Sequence, residues 1–345
     1  MRPTMLSWPP PDAGNPYVGR LCEGLRARGV GVRTHRYLAA LCARPRGARW
    51  LHLHWPEWMI QHRERWRYRL RGRWVLGLLD LCRAQGVSLA WTAHNLVGHD
   101  DPHQDLGLAA RRALLARTRV VFGHFPGCER DLRALGFRGR FALAPHPHFG
   151  EDYGPSPPRE ACREALGVAP DQTLLLSFGA LHGYKNLPAL ARAFRRLPDP
   201  SLRWLVRGRA PDKREFVALQ HAIDGDPRVT LREGFVPREE LVSCVVAADA
   251  AVLPYQAFYT SGAAVLALSY GCTVVGPPRN HLGSLTGRGF FVPLEEPSAE
   301  GLAVAVETVR AMGDRAREEA RGYARSVTWA DAADTVRRAL FEEAA

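Results

Sequence analysis

Short apolar runs alternate with amphipathic stretches along the whole chain. In the first half the runs are 3–8 (PTMLSW), 30–38, 49–55, 87–95, 119–125 and 140–146. Each has the length of a buried strand. Between the first two, residues 17–29 (YVGRLCEGLRARG) repeat apolar positions at helical spacing and stop at Gly29. A second helical stretch runs to about Gln85 and stops at Gly86, and further helices are predicted near 104–117 and 127–135. Residues 147–160 are rich in Pro, Gly and charge and read as a linker. The alternation then begins again, with strands over 172–179, 201–208, 228–234, 250–255, 272–278 and 289–294. Helices are predicted over 186–197 and 240–249, after Gly262, and near 329–342.

Apolar strands alternating with helices predict α/β halves, each a parallel sheet covered on both faces. The organisation expected is one Rossmann-like domain over 1–150 and a second over 151–325, with a closing helix over 326–345. No G-x-G-x-x-G turn follows a strand, which argues against a dinucleotide enzyme. Ligands of doubly wound sheets sit beyond the carboxyl ends of the strands, so two facing sheets predict a substrate cleft.

Composition narrows the setting. The 345 residues are 46% hydrophobic, enough for two cores, and this excludes a disordered chain. Seven cysteines are scattered without paired or metal-ligand spacing and read as reduced, buried thiols of a cytoplasmic protein. Neither a signal peptide nor a membrane-spanning run is visible. The formal charge of +12 favours anionic partners, although arginine-rich composition by itself supplies much of it.

The most informative stretch is 254–271, PYQAFYTSGAAVLALSYG. An apolar strand enters a turn of small residues, Tyr259, Thr260, Ser261 and Gly262, which opens a helix. Free backbone amides at a helix start, with little side-chain bulk, form a cradle for a diphosphate. Ser261 also suits an ordinary helix cap, and the two roles are compatible.

Several segments together resemble the GT-B glycosyltransferases of the group-4 type. They are SFGALHGYKNLPALARAF, LRWLVRGRA, VTLREGFVPREELVSCVVAADAAVLPY and PYQAFYTSGAAVLALSYGCTVVG, in that order, with Trp329 and its helix behind them. The resemblance spans nearly the whole chain. It implies two Rossmann-like domains facing a cleft, with the last helix packed back toward the first domain. It also implies sugar transfer from a UDP- or GDP-sugar to a lipid-linked or small glycan acceptor, without a cofactor or metal. Lys185 after the Gly179 turn would meet the diphosphate, helped by Arg207, Arg209 and the 259–262 turn, and Phe235 and Val236 would hold the base. Asn280, His281 and Gly283 would line the sugar pocket. In the first half, His94 ends a strand near the transferred sugar, and Glu57, Asp100 and Asp101 are further candidate bases. Gly14, Asn15 and His54 are the acceptor-side candidates. The chain departs from the family at three points. Phe258 and Leu266 stand where two glutamates eight positions apart are usual, and Ala180 replaces an arginine.

Residues 62–74 (HRERWRYRLRGRW) mix six arginines with Trp66, Tyr68 and Trp74, a composition suited to an anionic membrane surface more than to nucleic acid. Two other functions share the composition: a GT-B nucleotide-sugar epimerase, and a degenerate, non-catalytic nucleotide- or nucleic-acid-binding module.

Overall fold

The computed structural model describes residues 2–12, 14–43, 45–98 and 101–342. Two compact units divide the chain. One holds the residues up to Pro147 together with those from Val327 onward, and the other runs from His148 to Ser326.

The first unit is built on strands β1 (Thr4–Trp8), β2 (Gly31–Thr34), β3 (Trp50–Leu53), β4 (Ser88–Thr92), β5 (Thr118–Gly123) and β6 (Arg140–Leu143). Its helices are α1 (Tyr17–Ala27), α2 (Leu38–Ala43), α3 (Glu57–Ile60), α4 (Arg65–Ala84), α5 (Gln104–Leu115) and α6 (Gly127–Ala134). The six strands pair in parallel in the order β2-β1-β3-β4-β5-β6. β3 is buried at every position, as a strand covered on both faces must be.

The second unit starts with α7 (Gly150–Tyr153) and α8 (Arg159–Ala165). Its strands are β7 (Thr173–Phe178), β8 (Leu202–Gly208), β9 (Val229–Glu233), β10 (Ala250–Val252), β11 (Thr273–Gly276) and β12 (Phe291–Pro293). Between them lie a 3-10 turn (Gly183–Lys185), α9 (Leu187–Arg195), α10 (Lys213–Ile223), α11 (Arg238–Ala247), α12 (Gly262–Ser269), α13 (Asn280–Gly283) and α14 (Ala299–Arg325). This sheet is also parallel, in the order β12-β11-β10-β7-β8-β9. The last helix, α15 (Trp329–Phe341), belongs to the first unit. Its Ala333, Val336 and Leu340 enter the same core as Leu21 and Leu25 of α1. A Cβ on Gly24 would come within 2.8 Å of the Ala333 Cβ, so the two helices meet only because Gly24 has none.

Every strand expected from the apolar runs is present, most of them shortened at one or both ends, while β5 begins one residue earlier than expected, at Thr118. The run 250–255 stops as β10 at Val252 because Pro254 has no amide to donate to a ladder. Two elements carry no strong sequence pattern. α10 lies in the charged stretch 211–227, where Asp212 caps it by accepting from the Arg214 amide at 2.8 Å. α2 is six residues long. Residues 147–160 depart from a plain linker. They fold as α7 and the start of α8, pinned to α12 of the second unit. The Tyr270 hydroxyl donates to the Gly150 and Gly154 carbonyls at 3.1 and 2.7 Å, and the Phe149 amide donates to Ser269 Oγ at 3.0 Å.

The sheet orders locate the ligand crevices. Strand order reverses between β1 and β3 in the first unit and between β7 and β10 in the second. The carboxyl ends of such strand pairs are where doubly wound sheets bind ligands.

Candidate functional site

In the second unit, the crevice is flanked by the segments following β7 and β10. β7 ends in Gly179 (φ +86°), and β8 ends in Gly208, where a Cβ would stand 1.9 Å from the Gly179 carbonyl oxygen. Glycine is required at position 208 by this close approach. The chain then turns through residues 183–185, and the Lys185 side chain folds back so that Nζ donates to the Phe178 carbonyl at 2.6 Å. Lys185 is 6% exposed. Burial alone lowers its pKa to about 8, and no acidic side chain among the described residues offsets the cost. The ammonium also lies 5.9 Å from the centre of the Tyr255 ring.

Tyr255 leads to the opposite wall. Its hydroxyl bonds Ser261, the N-cap of α12, whose Oγ accepts from the Ala264 amide at 3.1 Å. Ser261 is therefore a cap, as its residue type favours. Beside it Thr260 Oγ1 is shielded and has no partner, and Gly262, the first helical residue, is exposed. The Ser261 amide donates to His281 Nδ1 at 3.4 Å, the His281 amide donates to the Tyr259 carbonyl, and Asn280 Nδ2 donates to the Phe258 carbonyl at 2.7 Å. The fold thus assembles Lys185, Tyr255, Thr260 and Ser261 at one strand-order reversal. Tyr255 was not singled out by sequence; its place at the end of an apolar run reads as core.

Other expected donor contacts fall differently. Arg207 is buried and bonded to the Glu240 carboxylate and the Arg232 carbonyl, so its guanidinium is not a free phosphate fork. That pairing is tertiary and invisible in a strand ending RGR. Arg209 is exposed at the same strand end, Phe235 is 85% exposed beyond β9, and Val236 is half-buried. Phe258 and Leu266 are buried, and Ala180 is exposed.

In the first unit, the ends of β3, β4, β5 and β6 each deliver a histidine: His54, His94, His124 and His146. His54 Nδ1 is 3.0 Å from His94 Nε2, and His94 Nδ1 is 3.2 Å from His124 Nε2. His124 Nδ1 donates to the Ala144 carbonyl at 2.8 Å. Tyr17, the first residue of α1, packs edge-on against all four rings at 4.7–5.7 Å. Trp55 stacks on His94 at 4.1 Å and on the exposed Trp58 at 5.1 Å. Burial holds His54 and His94 well below the ordinary histidine range, with the neighbouring rings adding to the effect, and takes His146 to about 4. Burial therefore favours the neutral form of His54, His94 and His146. Only His54 and His94 were selected from the sequence. The pattern of one histidine just past each of four successive strands was the available signal for the others.

Glu57 and Asp101 are not free bases. Glu57 is buried and paired with Arg111, Nη2 to Oε2 at 3.1 Å, and Arg111 lies 4.0 Å over the Trp91 ring. Asp101 accepts from the Tyr68 hydroxyl at 2.5 Å and from the His103 amide at 2.8 Å. Both line one small cavity between α3, α4 and α5. Asp100 lies outside the described residues. Asn15 Oδ1 accepts from the Tyr17 amide at 3.0 Å and so fixes the start of α1, while Gly14 is exposed.

Two units, each built on a parallel six-stranded sheet with a polar cluster at its carboxyl edge, have the GT-B fold. Residues 172–312 match the family described as glycosyl transferases group 1. The chain is 26% identical over 281 residues to a GDP-mannose:glycolipid 4-beta-D-mannosyltransferase of Xanthomonas campestris pv. campestris, covering 79% of this chain and 73% of that protein. Among solved structures it is similar to a sucrose-phosphate synthase from Thermosynechococcus elongatus (TM-score 0.74, 18% identity, 99% of both chains). It is also similar to Anabaena Alr3699/HepE in complex with UDP (TM-score 0.72, 14% identity, 99% of both chains). The chain thus has the GT-B fold, its second unit matches the group 1 glycosyl transferase family over residues 172–312, and these likenesses together support a transferase enzyme.

Proposed function

We propose that the chain transfers a mannosyl residue from GDP-mannose to a glycolipid with inversion, and that the second unit binds the donor. The observation that carries the donor reading is Lys185: a buried ammonium with no acidic partner among the described residues, at a strand-order reversal, beside the capped start of α12. An uncompensated buried charge is costly. A diphosphate placed against it and the exposed Gly262 turn supplies the missing counter-charge. Charge-assisted hydrogen bonds then stabilise the departing diphosphate. Tyr259, Thr260, Ser261 and Gly262 contribute hydroxyls and amides, Arg209 the second cation, and Phe235 a face for the base. No metal is assigned a part in this reading.

The choice of GDP-mannose follows the Xanthomonas relative, which is matched over more sequence identity than the UDP-bound neighbour. Nucleotide-activated mannose is α-linked, so the β-linkage in that relative's name requires inversion. Inversion in one displacement needs the acceptor hydroxyl deprotonated as it attacks. The histidine cluster of the first unit is the candidate for that task, with His94 at its middle and Asn15 and Gly14 on the acceptor side.

A glycolipid acceptor places the enzyme at a membrane surface. Among the described residues no helix is long and apolar enough to cross a membrane. Helix α4 instead exposes Trp66, Leu70, Trp74 and Leu81 at helical spacing on one face, while Tyr68, Val75 and Leu79 face the core. Exposed arginines occupy every odd position from 63 to 73. An apolar stripe edged by cations suits in-plane contact with anionic lipid.

Differential scanning fluorimetry with GDP, GDP-mannose, UDP and UDP-glucose tests the donor. GDP-mannose and GDP should raise Tm most, and Lys185→Ala should abolish the shift. A chain indifferent to all four nucleotides does not have this function. Cosedimentation with vesicles tests the surface: binding should need anionic lipid and be lost in Trp66→Ala/Trp74→Ala, and equal binding to neutral vesicles would sink it.

A further inference from the structure

The histidines at the strand ends of the first unit form an ordered chain, and hydrogen-bond directions fix which nitrogen of each ring holds the proton. The Ala144 carbonyl can only accept, so His124 carries its proton on Nδ1 and presents a lone pair at Nε2. His94 must then donate from Nδ1 and accept at Nε2, and His54 must donate from Nδ1. All three neutral rings are locked in the Nδ1–H form. One basic lone pair is left over at the end of the chain, on His54 Nε2, which is buried and has no hydrogen-bond partner among the described residues.

We propose that His54 Nε2 is the proton acceptor of the transfer reaction, and that His94 and His124 are positioning residues that orient it and share the proton. This rests on the inverting transferase reading given above. As the acceptor oxygen bonds the anomeric carbon, the bond from that carbon to the diphosphate oxygen breaks and its electron pair leaves with the nucleotide. The acceptor's proton moves to His54 Nε2. His54 passes its Nδ1 proton to His94 Nε2, and His94 passes its own to His124 Nε2. The chain then holds one extra proton, with His124 as an imidazolium still donating to Ala144. Reversal of the shifts returns the proton to solvent after product leaves.

The surroundings suit this task. The groups facing the chain are Tyr17 from α1, His52 and Thr92 from β3 and β4, His146 after β6, and Trp329 from α15. Among the described residues, the groups that act on His94 beside its burial are other histidines. Rings this close do not share two protons, and the cluster titrates as a unit. The cover over the chain includes Trp55, whose backbone is left-handed (φ +39°), a conformation an aromatic residue holds only by its packing.

Two measurements test the proposal. In histidine-labelled wild-type protein, nitrogen–proton correlation spectra at neutral pH should show His54, His94 and His124 as Nδ1–H tautomers; an Nε2–H or doubly protonated ring at any of the three overturns the chain. In steady-state transfer assays, His54→Gln should lower kcat by about 10²–10⁴-fold with donor KM unchanged. His124→Gln should lower kcat by about tenfold and move the acidic limb of the pH–kcat profile, because it acts only through His94. A His54→Gln enzyme that keeps wild-type Tm and transfers within threefold of wild type overturns the acceptor assignment. If wild type transfers no sugar from any nucleotide donor, the transferase reading fails instead, and the tautomer spectra still decide the chain.

Discussion

The two strand-order reversals are built with opposite electrostatics. In the second unit, the crevice holds an isolated ammonium, a capped helix start and unfilled hydroxyl capacity. The first unit holds, at the ends of β3 to β6, a nest of imidazoles under aromatic rings, with the proton places of His54, His94 and His124 set in turn from one carbonyl. Both sheets are parallel with a single strand-order reversal, so the difference comes largely from the residues that each sheet delivers to its carboxyl edge. A lone buried cation waits for an anion. A chain of neutral rings with one spare lone pair waits for a proton. The fold supplies the place, and the side chains choose the charge that is missing from it.

The largest effect separates support from site in the first unit. Glu57→Ala leaves Arg111 buried and unpaired and should cost about 3–5 kcal/mol in denaturant unfolding. If stability is unchanged, the pair is not the strut described. Acid should strike the first unit before the second. The folded-state pKa values of His52, His54, His94 and His146 lie below their unfolded values. Their neutral burial therefore carries no penalty above pH 6.5, and stability falls as pH drops below it, by about 1 kcal/mol per histidine at pH 5.5. Unfolding curves between pH 5 and 8 check the direction.

Lys185→Met should weaken GDP binding by about 100-fold in calorimetry, equivalent to one lost charge-assisted contact. The same change should stabilise the unliganded protein by about 1–2 kcal/mol at pH 7, since it removes a buried charge and forfeits one hydrogen bond to Phe178. Loss of stability together with retained binding would mean that the lysine is structural. Because the folded pKa of about 8 lies below the unfolded one, GDP affinity should be flat below pH 8 and fall above it, as binding then requires proton uptake. The smallest effect is Ser261→Ala, which should cost about 1 kcal/mol through the lost cap of α12.

Sequence reading reached far into this protein, for identifiable reasons. Buried parallel strands such as β7, TLLLSF, are apolar throughout and stand out as runs. The group 1 segments around Lys185 and Ser261 keep their order along the chain, so the donor side was legible as a motif. The acceptor side was legible only in part. His54 and His94 are single letters at strand ends, and nothing in the linear order says that His124 and His146 stand beside them. Glu57 and Asp101 looked like bases because a carboxylate in a loop is indistinguishable, in sequence, from one already bonded to Arg111 or Tyr68.

What the sequence determined by itself is the alternation of elements and the two parallel sheets, because hydrophobic periodicity is local and burial demands it. It also determined the residue types at each strand end. The tertiary structure alone decided which of those residues meet. Arg207 was taken out of the donor crevice by Glu240, a residue 33 positions away, and Lys185 was left bonded to the Phe178 carbonyl with no acidic partner among the described residues. Four histidines up to 92 positions apart, His54 to His146, were gathered around one tyrosine. Proton position and charge compensation depend on distances of about 3 Å, and those exist only once the strands are side by side.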